Sequence, residues 1–208
     1  MRLLILGSTG GTGIEMVRQA LERGHHVSVL ARSPEKLNEF NGRIQIETGD
    51  VLGPTMLEKA IRGSDAVLSA FGPRLPLKHG EETLLRRFSA ALTSAMAKAA
   101  VPRVILVSTA FLFKDTIVPP AYLIGSLFFR KIVRDASEME AVIKGSTLDW
   151  TIVRPPKLTG AMRSGRYRFR QEHLPRFGFS ISRADVAAFA IEAAERHLFS
   201  RKVVGVCR

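Results

Sequence analysis

The residues best suited to chemistry form a glycine-rich run near the start of the chain, Gly7-Ser8-Thr9-Gly10-Gly11-Thr12-Gly13. Three of its glycines recur at a G-x-x-G-x-x-G spacing. Glycine permits a tight turn and lets backbone N–H groups approach a pyrophosphate. Ser8, Thr9 and Thr12 add hydroxyl donors. A helix starting here would aim the positive end of its dipole at the same anion. Such a run carries meaning only between a strand and a helix. Arg2–Leu6 is a short apolar run that reads as a buried strand. Ile14, Val17 and Leu21 show helical spacing, stopped by Gly24. The context is that of a dinucleotide-binding turn rather than a purely structural one.

A second group follows the next strand, Val27–Leu30. An acidic residue at this point would bind the ribose 2′-hydroxyl of NAD. This chain has Ala31-Arg32-Ser33 instead, with Lys36 a turn later. Arg32 can hold a 2′-phosphate in a bidentate fork, and Ser33 can donate a hydrogen bond. The expected cofactor is therefore NADP(H), the alternative being that Arg32 is a solvated surface side chain. Gly49-Asp50-Val51 follows a third strand, Ile44–Glu47. Either Asp50 accepts from an adenine amino group while Val51 packs on the ring, or Asp50 caps a turn. Ser69-Ala70-Phe71-Gly72 ends a fourth strand, and the carboxyl ends of strands line the ligand crevice of an open α/β sheet. Ala70, Phe71 and Gly72 are accordingly expected at the cofactor.

The remaining elements must position these groups. Pro34 opens a short helix, and Pro54–Ile61 is a helix ended by Gly63. Leu84, Leu85, Phe88, Leu92, Ala95 and Met96 mark one face of a long helix. Val104–Val107 is a fifth strand. Ser137–Lys144 ends another helix, and Trp150–Val153 is a sixth strand stopped by Pro155-Pro156. Tyr167/Phe169 and Phe177/Phe179/Ile181 alternate like an added hairpin. Ser182 caps a helix through Glu195, with Asp185 near its N-terminus, and Val203–Val206 is a last strand. Such alternation predicts an α/β fold, a doubly wound parallel sheet of Rossmann type in one domain spanning residues 1–208. A small substrate-side region is expected at about 155–182.

Taken together these stretches resemble the atypical short-chain dehydrogenase/reductases. The similarity is to the NmrA-like, NAD(P)H-binding branch that includes flavin reductase/biliverdin reductase B. It covers essentially the whole chain. It is carried by the GSTGGTG run, Ala31 to Lys36, Gly49-Asp50-Val51, Ile105 to Ser108, Leu148 to Pro156 and Ser180 to Ala187. One departure matters: the Tyr-x-x-x-Lys pair of typical short-chain dehydrogenases is missing. The tyrosines are Tyr122 and Tyr167, and the residues four later are Ser126 and Gln171. The flavin-reductase branch lacks the pair as well. The resemblance implies that Ser108 sits near the nicotinamide, with Thr109 and Pro155 as further cofactor contacts. Lys157 falls where that branch has a pocket histidine, and would offer a positive charge to an anionic acceptor.

Composition narrows the other classes. The chain carries 31 Lys and Arg against 19 Asp and Glu, a formal net charge of +12. Residues 151–208 hold twelve basic and four acidic residues, so +8 of that charge lies there. The charges are dispersed, as in Arg166-Tyr167-Arg168-Phe169-Arg170, which reads as a strand with a solvated basic face. No recognised nucleic-acid motif accompanies them. The apolar stretches between Val104 and Phe129 are broken by Lys114, Asp115 and Pro119-Pro120, so no membrane span is expected. Cys207 is the lone cysteine, which suits a reducing compartment such as the cytoplasm. No metal-binding pattern and no G-x-S-x-G elbow occur, and His25-His26 reads as surface structure.

Phe111, Phe113, Tyr122, Leu123, Phe128 and Phe129 form an apolar cluster after the fifth strand. They serve either as core or as a wall over a planar substrate. Two functions are consistent with these features. One is an NADPH-dependent oxidoreductase passing hydride to a planar acceptor such as a flavin or quinone, with Ser108 and Lys157 beside the reacting ring. The other is a non-catalytic NADP(H)-binding sensor or regulator of the NmrA-like kind.

Overall fold

The computed structural model describes residues 1–73, 80–113 and 129–208. Strand β1, Arg2–Leu6, is apolar on both faces, as a strand covered on both sides must be. Leu3 and Ile5 enter one core, Leu4 and Leu6 the other. Helix α1, Gly11–Glu22, buries Met16, Val17 and Ala20 against the first face. Gly24 ends it with a left-handed φ of +76°. Strand β2, His26–Ala31, pairs parallel with β1 and leads into a 3₁₀ turn, Pro34–Phe40. Strand β3, Gln45–Thr48, and helix α2, Pro54–Ile61, follow.

Strand β4, Ala66–Ser69, lies on the other side of β1. Helix α3, Leu84–Ala99, buries Leu85, Phe88, Leu92, Ala95 and Met96, the apolar stripe expected from its spacing. No side chain of its own caps it. Asp135 of helix α4, Arg130–Lys144, instead accepts from the N–H groups of Leu85 and Arg86 at 2.7 and 3.0 Å. Between the two helices run strand β5, Arg103–Val107, and a short 3₁₀ turn, Ala110–Leu112. Strand β6 is Asp149–Arg154, helix α5 is Arg183–Glu195 and strand β10 is Lys202–Cys207.

With strand β8, Arg168–Gln171, at its edge, the main sheet has the order β3-β2-β1-β4-β5-β6-β10-β8, parallel except at its last pair. This is a doubly wound Rossmann sheet extended by two strands. Two hydrophobic cores cover it, one under α1 and α5, the other under α2, α3 and α4. No described helix is long and apolar enough to cross a membrane.

The expected hairpin at 167–181 is corrected by the structure. Strand β8, Arg168–Gln171, pairs antiparallel with β10, not with the Phe177–Ile181 stretch. Strand β9, Ser180–Ser182, pairs in parallel with β7, Lys157–Thr159, at Lys157↔Ser180. Period-two patterning identified extended chain at 168–171 but misread the second stretch, where Phe177 lies in a turn with φ +59° and only Ser180–Ser182 is strand; nor could it identify partners. All four residues of strand β8 are exposed, Phe169 included, so its solvated surface is not confined to the basic face expected from the alternation.

Candidate functional site

The glycine loop joins β1 to α1 beside the C-terminal end of β4. Gly7 has φ +74°, and a Cβ there would stand 2.6 Å from the Phe71 nitrogen. A Cβ on Gly13 would lie 2.1 Å from the Gly7 oxygen. The fold itself requires these two glycines. Gly10 differs: its Cβ would meet only the Gly7 oxygen, at 3.3 Å. The space over Gly10 is left open on the side from which a ligand would approach.

The polar groups at this point fit a pyrophosphate. Gly10 is the N-cap of α1 and supplies no side-chain bond to its first amides. Thr12 is buried, Thr9 half-buried and Gly11 exposed. The Ser8 hydroxyl is buried with no hydrogen-bond partner among the described residues. Uncapped amides and an unpartnered hydroxyl are groups that phosphate oxygens would satisfy.

Arg32 follows β2 directly, is exposed, and has no ion pair with a described residue. Lys36 is also exposed and unpaired among them. Ser33 starts the 3₁₀ turn without using its hydroxyl as a cap. All three therefore keep free donors at the end of the second strand. Asp50 forms a local turn, its Oδ1 accepting from the Leu52 N–H at 3.0 Å. Val51 is only 5% exposed and belongs to the core with Leu30 and Leu57. The turn role of Asp50 is thus present in the structure.

Beside the loop, the Ala70 N–H continues the ladder to the Leu6 carbonyl at 3.0 Å. Phe71 packs on Phe88 with ring centroids 4.6 Å apart, and Gly72 is exposed. The ends of β5 and β6 are knitted together. Ser108 N–H donates to the Val153 carbonyl at 2.7 Å, and Ala110 N–H to the Pro155 carbonyl at 2.9 Å. Thr109 caps the short 3₁₀ turn, its hydroxyl oxygen accepting from Phe111 N–H.

Ser108 is held by a group that the sequence did not single out. Its hydroxyl donates to Glu140 Oε1 at 2.7 Å. Glu140, on α4, also accepts from Arg154 Nε at 2.9 Å, Arg154 Nη2 at 2.6 Å and Lys144 Nζ at 3.0 Å. Burial opposes its charge, but the Arg154 fork, the Ser108 hydroxyl and Lys144 outweigh that, and its pKa lies below the usual carboxylate range. The Arg154 guanidinium also lies over the Phe113 ring, 4.6 Å from its centroid. A signal for Glu140 did exist. It occupies the buried stripe of α4 with Ala136, Met139 and Ile143, where an acidic residue needs partners.

Lys157 is the exposed first residue of β7 and has no described partner. Phe113 is core, whereas Phe111 and Phe129 are half-buried with centroids 6.1 Å apart. Tyr122, Leu123 and Phe128 lie outside the described residues. His25 is structural: its Nδ1 lies 3.2 Å from the Met1 amino group and its Nε2 2.7 Å from Glu195.

Asp185 does more than complement the α5 dipole. It accepts from Ser164 N–H, Gly165 N–H and the Ser164 and Ser182 hydroxyls, all at 2.8–2.9 Å. Burial raises its pKa, yet the bonds from Gly165, Ser182 and Ser164 prevail and hold it low.

Comparison with known proteins agrees with this geometry. A family described as NAD(P)H-binding matches residues 7–197. An uncharacterized chloroplastic protein of Arabidopsis thaliana is 33% identical over 99% of this chain and 76% of its own length. A short-chain dehydrogenase/reductase of Veillonella parvula, solved with NADP, has a TM-score of 0.86 at 20% identity, over 100% of this chain and 94% of that one. The anaerobilin reductase ChuY of Escherichia coli O157:H7 has a TM-score of 0.82 at 22% identity, over 100% of this chain and 97% of that one. The chain belongs to the NAD(P)H-binding family.

Proposed function

We propose that this protein is an NADPH-dependent reductase that delivers hydride to a planar conjugated acceptor, such as a flavin or quinone. The observation that carries the proposal is the Ser108–Glu140 hydrogen bond at 2.7 Å. Glu140 is ionised and saturated by Arg154 and Lys144, so the Ser108 proton points at Glu140. Ser108 is left as a hydrogen-bond acceptor, able to orient a carboxamide N–H but not to protonate a substrate. With no Tyr-x-x-x-Lys pair either, the site suits an acceptor that takes hydride as a stabilised anion and needs no proton from the protein. NADPH supplies the hydride; the protein binds, orients and excludes solvent.

Arg32, Ser33 and Lys36 favour the 2′-phosphate of NADP(H) over NAD. Lys157, exposed at the start of β7, would stabilise negative charge gained by the acceptor. Residues 155–182 form the substrate side in this reading, and a reducing compartment such as the cytoplasm accommodates Cys207. The likeness in fold to ChuY, an anaerobilin reductase, supports a reductase by analogy.

The test is steady-state NADPH oxidation across a panel of flavins and quinones, for wild type, Ser108→Ala and Lys157→Ala. A wild-type rate that falls in both variants is expected. A wild type no faster than buffer, yet binding NADPH, would replace the reductase by an NADP(H) sensor. Robust rates unchanged in both variants would remove these two residues from the site.

A further inference from the structure

We infer that Arg183, the first residue of α5, is a phosphate-gripping residue of the dinucleotide site, reaching the loop from 170 residues downstream. The inference rests on the NAD(P)H-binding family assignment and not on the reductase reading. Helices α1 and α5 pack side by side, tied by Gln19 Nε2 donating to the Ala184 carbonyl at 2.8 Å. From there the Arg183 side chain runs along α1 toward its N-terminus and ends against Gly11. A Cβ on Gly11 would lie 2.7 Å from Arg183 Cδ, 3.0 Å from Nε and 3.8 Å from Cζ, with no other atom closer.

The guanidinium has no hydrogen bond or ion pair with a described residue. The nearest acid along the path, Glu15, is already engaged by Arg18 and Gln19. Arg183, Gly11 and Gly160 help line a cavity of about 390 Å³ over this end of α1. A half-buried cation with no partner among the described residues thus stands against Gly11, in the first turn of a helix whose amides have no side-chain cap, and the unpartnered Ser8 hydroxyl belongs to the loop that leads into that turn. Donors of these types suit one kind of group, a phosphate diester or pyrophosphate, for which a guanidinium fork is well matched. The arrangement also accounts for glycine at position 11. Any side chain there would displace Arg183.

Arg32 and Arg183 then divide the cofactor between them, the first taking the 2′-phosphate and the second the pyrophosphate. The two roles separate experimentally with two ligands, NADPH and adenosine 2′-monophosphate, which lacks the pyrophosphate. Binding is measured by fluorescence or calorimetric titration for wild type, Arg183→Ala and Arg183→Lys, with thermal unfolding of each as the control for folding. The expected result is a loss of about ten- to a hundredfold in NADPH affinity for Arg183→Ala. Partial recovery is expected in Arg183→Lys, and adenosine 2′-monophosphate should bind all three proteins alike. An unchanged NADPH affinity in Arg183→Ala would overturn the assignment. So would an equal loss for both ligands, because the guanidinium would then act on the loop or the adenosine end. NADPH binding without turnover would count against the reductase reading alone.

Discussion

Glu140→Gln tests the buried charge cluster that Glu140 forms with Arg154 and Lys144. The carboxylate side chain is 2% exposed and its Arg154 partner 11%, so neither is screened by much water. The substitution keeps the shape but removes the charge that the Arg154 fork and Lys144 share. Removing one partner of a buried ion pair costs about 3–5 kcal/mol, because the other charge stays desolvated. At about 2–4 °C per kcal/mol for a domain of this size, the melting temperature should fall by roughly 6–20 °C. The assay is thermal unfolding followed by circular dichroism at pH 7. A companion double variant, Glu140→Leu with Arg154→Met, removes both charges and should cost less than the two single changes added together. A Glu140→Gln melting point within about 2 °C of wild type would refute the reasoning. Strict additivity of the two single changes would refute it as well.

Three further outcomes follow from the geometry. Gly10→Val should abolish NADPH binding while leaving the circular dichroism spectrum unchanged, whereas Gly13→Ala should cost about 1–3 kcal/mol or more in urea unfolding, since its Cβ meets backbone. Arg32→Ala should weaken NADPH by about ten- to a hundredfold and leave NADH unaffected in titrations; equal wild-type affinity for the two cofactors would sink the NADP(H) assignment. Glu140 and Asp185 both have folded pKa values held low, so their stabilisation is fully present above the ordinary carboxylate range and is lost as pH falls through the folded values. Melting temperature should therefore drop steeply below about pH 4, with a flatter slope in Asp185→Asn.

Local signals made most of the architecture legible. Strand β1 announced itself by apolar residues on both faces, α2 by Pro54 at its start, and α5 by Ser182, whose hydroxyl oxygen accepts from Asp185 N–H at 2.9 Å. Each depends on residues a few positions apart. The glycine loop was legible for the same reason, since Gly7 and Gly13 are demanded by contacts within one turn and the strand beside it. What escaped is long-range. Strands β7 and β9 are three residues each and pair residues twenty-three positions apart, a match that no pattern within either strand encodes. Glu140, Arg154 and Ser108 meet only because α4 lies against the C-terminal ends of the paired strands β5 and β6. Arg183 reaches Gly11 only because α5 lies beside α1.

The exposed strand β8 has a consequence for how the molecule meets its own copies. It is the last strand of the sheet, paired on one side to β10, and its other side pairs with no strand among the described residues. Such an edge is a template on which sheets fuse and aggregate. Here it carries Arg168 and Arg170, alternate residues on one face. Two molecules brought together edge to edge, antiparallel and centred on Phe169, would oppose these cations about 5 Å apart, with no acid in either strand to relieve them. The sheet is thereby protected from endless growth by electrostatic repulsion, and the basic surplus in the last quarter of the chain acts as a colloidal safeguard.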